Sequence, residues 1–160
     1  MTVEIERRYW MTELPEGLDS AQWCFIRQGY LSIDQNSEVR IRACDGNFTL
    51  TVKTGSGLVR QEVEITLSME DFERLWPLTE GRRLEKRRTE FRRDGTLFHI
   101  DQYLQPLDFL LAEVEFSSEA HAEAFNPPDF LGREITEFKS MRDFPDLVAS
   151  VKAIRSGNKC

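Results

Sequence analysis

Charged residues recur at every second position along much of this chain, and they recur in pairs of one sign. The stretch VEIERRYW, residues 3 to 10, sets the pattern: Glu4, Glu6 and Arg8 share one parity, with Val3, Ile5 and Tyr9 on the other. In a strand that spacing puts two carboxylates and a guanidinium on one face. Arg40/Arg42, Glu62/Glu64, Lys86/Arg88 and Glu113/Glu115 follow the same scheme. A solvated sheet face tends to mix signs, because like charges placed side by side repel. Carboxylates without histidine or cysteine suit hard cations such as magnesium or manganese. Guanidinium and ammonium groups suit phosphate oxygens. A polyphosphate carrying a divalent ion would satisfy both sets.

These residues must be held by strands. Polar/apolar alternation runs through 3–10, 38–44, the hairpin arms around Asp45-Gly46, 58–65, 96–104 and 110–116; 26–33 reads as a further short strand, and 83–93 as one with charges on both faces. Asp45-Gly46 and Asp94-Gly95 are hairpin turn signals. About eight antiparallel strands in a meander-like order result, which is enough for a sheet to close into a small barrel. Alternation alone does not say which face is inside. The usual reading is a solvated polar face; the like-signed pairs favour an inward charged face with helices covering the apolar outside. The lumen would then hold Glu4, Glu6, Glu62, Glu64, Glu113, Glu115 and Asp101, facing Arg8, Arg40, Arg42, Lys53, Lys86 and Arg88, with Arg60 on the parity of Glu62.

Helices are fewer. Ser68 opens a capped turn followed by Phe72, Leu75 and Trp76. A second short helix covers 117–125, and the spacing predicts a third over 143–155 with Leu147, Val148, Val151 and Ile154 as its apolar stripe. Trp10, Trp23 and Trp76 read as packing residues, His99 as structural and Lys139 as a solvated lysine.

The 160 residues fit one domain over 1–155, with 156–160 a loose tail. A net charge of −7 argues against a broad nucleic-acid surface. No apolar run approaches a membrane span, and the start lacks a signal-peptide core. Cys24, Cys44 and Cys160 show no CxxC spacing and read as three reduced thiols in a cytoplasmic protein.

Glu4-Ile5-Glu6-Arg7-Arg8 resembles the ExExK signature of the CYTH superfamily, the triphosphate tunnel metalloenzymes. Gln28-Gly29-Tyr30-Leu31 is similar to the family's QGYL segment, and Gly132 to Thr136 to its late GxEVT segment. The charged pairs between them match in order, so the resemblance covers nearly the whole chain. It implies a mainly β (α+β) fold: a closed eight-stranded antiparallel β-barrel tunnel with a charged lumen, flanked by a few helices. It also implies metal-dependent triphosphate chemistry without selecting the substrate. The family includes inorganic and thiamine triphosphatases, RNA triphosphatases and class IV adenylate cyclases.

Within that frame Arg8, Arg40, Arg42, Lys53 and Arg88 are expected to bind the phosphates. Glu4, Glu6, Glu64, Asp101, Glu113 and Glu115 are expected to bind magnesium or manganese, and Glu62 is a tunnel acid without an assigned role. Lys86, crowded by Arg88, and Tyr30 are the candidate catalytic residues. Arg8 stands where the family has lysine; arginine stays protonated and cannot serve as a base there. Hydrolysis of inorganic triphosphate is the leading expectation. Cyclisation of ATP, hydrolysis of thiamine or nucleoside triphosphate, and a non-catalytic polyphosphate-binding module are the alternatives. No nucleic-acid or membrane partner is expected, and an apolar outer surface would suit a homodimer.

Overall fold

The computed structural model describes residues 2–18, 22–55, 57–136, 151–153 and 155–157. Eight antiparallel strands form a closed barrel: β1 (Thr2–Met11), β2 (Cys24–Ile33), β3 (Ser37–Cys44), β4 (Asn47–Thr54), β5 (Val59–Leu67), β6 (Arg83–Arg93), β7 (Thr96–Gln105) and β8 (Phe109–Glu115). The Asp45-Gly46 and Asp94-Gly95 turns close the β3–β4 and β6–β7 hairpins, and all four residues have positive φ. The spatial order is β1-β5-β4-β3-β2-β6-β7-β8. Two runs, β2 to β5 and β6 to β8, follow the expected meander, but β1 lies between β5 and β8, and β6 pairs with β2. The cause is the crossing after β5. Helix α1 (Met69–Leu75) and the 3-10 turn at Trp76–Thr79 run beneath β4 and β3 to β2, and so deliver β6 beside β2.

Ser68 caps α1 by accepting the Asp71 N–H, and Phe72 is fully buried beside Phe48 and Trp76. Arg27 and Arg83 lie over the Trp76 ring at 4.6 and 4.5 Å, holding the crossing against β2 and β6. The crossing needs Gly29. A Cβ there would lie 2.5 Å from Thr79 Oγ1, so only glycine lets β2 pass so close.

The apolar core lies outside the barrel. Tyr9, Met11, Phe98, Ile100, Ala112 and Val114 turn outward from β1, β7 and β8. They are covered by α2 (Glu119–Ala124) and the segment through Leu131, with Phe125 and Phe130 packed in. Arg7, also outward, clamps this cover through a bidentate pair with Glu134 (2.8 and 2.6 Å) and bonds to the Ala122 and Phe125 carbonyls. Gly132 passes close to β1: its N–H donates to Trp10 O, and a Cβ would meet that oxygen at 2.5 Å. Trp10 itself stacks on Phe109.

The expected helix over 143–155 and Lys139 lie largely outside the described residues; 151–153 and Arg155 are helical, with Val151 buried against Phe109, Leu111 and Ile135. Cys160 also lies outside them. Cys24 and Cys44 are joined in a disulfide, which corrects the expectation of free thiols at these two positions. Antiparallel pairing sets Cys44 opposite Ile26, so Cys24 lies diagonally from it with the Cα atoms 6.3 Å apart. Their separation of 20 residues carries no sign of that proximity. Among the described residues no helix is long and apolar enough to cross a membrane.

Candidate active site

With the apolar parity turned out, the charged parity lines the lumen. One cavity is walled by Glu4, Glu6 and Arg8 of β1, Arg40 and Arg42 of β3, Lys53 of β4, Glu62 and Glu64 of β5, Lys86 and Arg88 of β6, and Glu113 and Glu115 of β8. Tyr30 of β2 lies in the same wall. Every residue expected to serve the site therefore reaches one cavity, except Asp101, which lies just behind it and is fully buried. Four further residues line it: Arg60, which its parity already puts among the lumen bases without a role, and Gln28, Glu38 and Tyr103, to which the sequence reading gives none. Gln28 has no charge to mark it, and Tyr103 looks like an ordinary strand aromatic. Glu38 begins β3 on the parity of Arg40, which is the one signal that could have found it.

Seven glutamates and seven lysines or arginines line this cavity. Like-signed neighbours along a strand are relieved across strands. Lys53 Nζ lies 2.5 Å from Glu4 Oε1 and 2.9 Å from Glu62 Oε2. Arg60 Nη2 lies 2.6 Å from Glu6 and 3.1 Å from Glu4. Arg40 pairs with Glu38 at 3.3 Å. Thr51 donates to Glu64 at 2.9 Å. Glu4 is nevertheless pushed up from the ordinary carboxylate value, by burial first and by Glu6 next to it. Burial and Glu113 work the same way on Glu6, but Lys53, Arg8 and Arg60 outweigh them and hold it below.

The second cluster centres on Asp101. Its carboxylate takes Lys86 Nζ at 2.6 Å and both Nε and Nη2 of Arg88 at 2.6 Å. Arg88 also donates to Glu113. Lys86 is 3% exposed, and its ammonium lies over the Tyr103 ring at 5.1 Å. Burial, then the Arg88 charge, lowers its pKa to about 8 despite Asp101. Asp101 and Glu113 are both held below the carboxylate range: burial opposes ionisation, and Arg88 with Lys86 overcomes it. Across the lumen Gln28 donates to Tyr30 Oη at 2.9 Å and accepts from Arg42 Nε at 3.1 Å. Burial raises the Tyr30 phenol. Arg42 is drawn down to about 10 by burial and by Arg40 and Arg88.

Three cations that repel one another, Arg40, Arg42 and Arg88, thus face one space. The Nε donors of Arg8 and Arg40 are buried without a hydrogen-bond partner. Unpaired buried donors beside crowded cations are what an anion with several oxygens relieves. Arg8 is otherwise tied to the late segment, its backbone N–H donating to Thr136 Oγ1 at 3.0 Å.

A closed barrel with an apolar exterior and a lumen of paired acids and bases defines a tunnel for a charged ligand. No family model matches the chain. An inorganic triphosphatase of Nitrosomonas europaea is 43% identical over 145 residues, covering 88% of this chain and 93% of that protein. A second inorganic triphosphatase, from Acetivibrio thermocellus, is 35% identical over 119 residues, covering 72% and 75%. Among solved structures, the inorganic triphosphatase NE1496 superposes with a TM-score of 0.61 at 40% identity, covering 86% of this chain and 89% of that one. The chain belongs to the inorganic triphosphatase family of the CYTH superfamily.

Proposed function

We propose that this protein hydrolyses inorganic triphosphate to pyrophosphate and orthophosphate with magnesium or manganese. The observation that carries the reading is the crowded, partly unpaired cation set facing a buried glutamate pair inside one closed barrel. Membership of a family whose relatives are named inorganic triphosphatases supports it. The donor set also fits a divalent ion: Glu4 and Glu6 offer hard oxygens, and among the described residues no histidine or cysteine lines the cavity.

Arg8, Arg40, Arg42, Lys53 and Arg88 hold the phosphate chain in this reading, with Arg8 as a clamp. Glu4 and Glu6, with Glu64, Glu113 and Glu115, hold the metal. When bound, the ion supplies charge neutralisation at the phosphate oxygens and acidifies water. Asp101 we assign to positioning: it is fully buried behind the cavity wall, where its carboxylate accepts from Lys86 and twice from Arg88. Lys86, with a pKa near 8, takes the proton of the attacking water. Water adds to the terminal phosphorus in line as the bond to the bridging oxygen breaks, and pyrophosphate leaves. Tyr30, kept protonated by burial and fixed by Gln28, orients the water. Glu62 aims Lys53, in contact at 2.9 Å.

The test is product release from inorganic triphosphate, ATP and thiamine triphosphate, each with magnesium or manganese. Orthophosphate from inorganic triphosphate, well ahead of the other two, is expected. Pyrophosphate with cyclic AMP from ATP would make the tunnel a cyclase, and binding without product would make it a receptor. The same reading includes a cytoplasmic location, for which the Cys24–Cys44 disulfide withdraws the reduced-thiol argument. It also admits a homodimer, supported by exposed Val3, Val63 and Ile65 on the outer face of β1 and β5. Sedimentation of the full chain at the monomer mass would remove the dimer.

A further inference from the structure

Arg60 stands apart from the cations assigned above to the phosphate chain. It opens β5 opposite Glu4 in register and is 5% exposed. One nitrogen, Nη2, contacts both members of the glutamate pair, Glu6 at 2.6 Å and Glu4 at 3.1 Å. The other oxygen of Glu4 is taken by Lys53. The carboxylates best suited to a divalent ion are therefore already neutralised from within by the chain's own cations. A buried carboxylate pair without a counter-charge would be costly, so something must hold it when no metal is there. A guanidinium in direct contact with both carboxylates also places its charge against any arriving ion. Glu38 offers Arg60 a place to go: its Oε2 lies 3.9 Å from Arg60 Nη1, while its Oε1 takes Arg40 at 3.3 Å.

We infer that Arg60 is an internal counter-ion of the Glu4–Glu6 pair, and that a divalent cation binds by exchange with it, Arg60 withdrawing toward Glu38. Metal binding is then a competition between a tethered monovalent cation and a free divalent one. Metal-free stability and metal affinity are set against each other by one residue. Glu38 is the positioning residue of the exchange, since it receives the displaced charge. The inference rests on the metal reading of Glu4 and Glu6.

The test needs no turnover. Manganese alone is titrated calorimetrically into metal-free full-length protein, and the thermal midpoint without metal is recorded alongside. Arg60→Gln is expected to lower that midpoint and to tighten manganese binding by about fivefold or more, because a positive charge in contact with the site has gone. Unchanged or weaker binding in Arg60→Gln would overturn the inference and make Arg60 part of the frame that holds the carboxylates in place. Should circular dichroism show Arg60→Gln unfolded, Arg60→Lys decides. Its shorter reach loosens the contact, so tighter binding than wild type supports the exchange and equal or weaker binding overturns it. Glu4→Gln/Glu6→Gln separates the two levels: if it binds manganese as wild type does, the metal reading falls and the inference falls with it.

Discussion

Lys86 carries opposing influences: burial and Arg88 drive its proton off, while Asp101 at 2.6 Å holds it on. Lys86→Ala is expected to cut kcat by about 10²-fold or more, and turnover near wild type would remove the assignment. Asp101→Asn withdraws the influence that favours the charged form, so Lys86 should titrate lower. The rise of kcat with pH near 8 should move to lower pH, and a limb that stays in place would contradict the Asp101–Lys86 coupling. The carboxylates respond in the opposite pH range. Asp101 and Glu113 have folded pKa values below their unfolded ones, so the stability they contribute is present above about pH 4 and is lost as pH falls through the folded values. Arg88→Met raises those folded values, and the midpoint of acid unfolding should shift upward, as followed by near-UV circular dichroism. At this scale the alternation in the sequence was a good guide, because a charged side chain on the parity of Glu4 or Arg40 has only one face to occupy. Parity also puts Asp101 among the lumen acids, but it does not display that the Asp101 oxygens accept from Lys86 and Arg88 behind the cavity wall.

The elements owe their placement to a few close approaches. Gly29 against Thr79 is the tightest of them at the crossing, so Gly29→Ala should cost about 1–3 kcal/mol by overpacking. Thermal denaturation checks this, and an unchanged midpoint would mean that the 3-10 turn is free to move. Arg7→Ala breaks a bidentate pair and two bonds to carbonyls of the outer cover. Its expected effect is faster amide exchange in residues 122–136 ahead of global unfolding. Strands and hairpins were legible because Asp-Gly turns and alternation are local signals. Strand order was not. It depends on where α1 and its 3-10 turn lead the chain, and that direction is set by Phe72, Trp76 and Gly29 meeting partners far away in sequence. The Cys24–Cys44 contact was hidden for the same reason, since it exists only once β2 and β3 are in register.

Over much of the barrel the usual arrangement is reversed, with a packed core outside the sheet and the charges within, while Trp10, Phe109 and Leu111, on the lumen parity, pack with Ile135 and Val151 in a second apolar cluster. Seven acids facing seven bases make this tolerable without a ligand, and the incompletely paired Arg8, Arg40 and Arg42 are where a ligand gains most. The inward face was the better reading of like-signed pairs. The relief comes largely from opposite charges across strands, which a one-dimensional pattern does not display. Triphosphate hydrolysis in this tunnel is tested most directly by product stoichiometry with inorganic triphosphate, measured with and without magnesium or manganese. It predicts one pyrophosphate and one orthophosphate for each triphosphate consumed, and negligible turnover after chelation. Full affinity for triphosphate with neither product formed would contradict it.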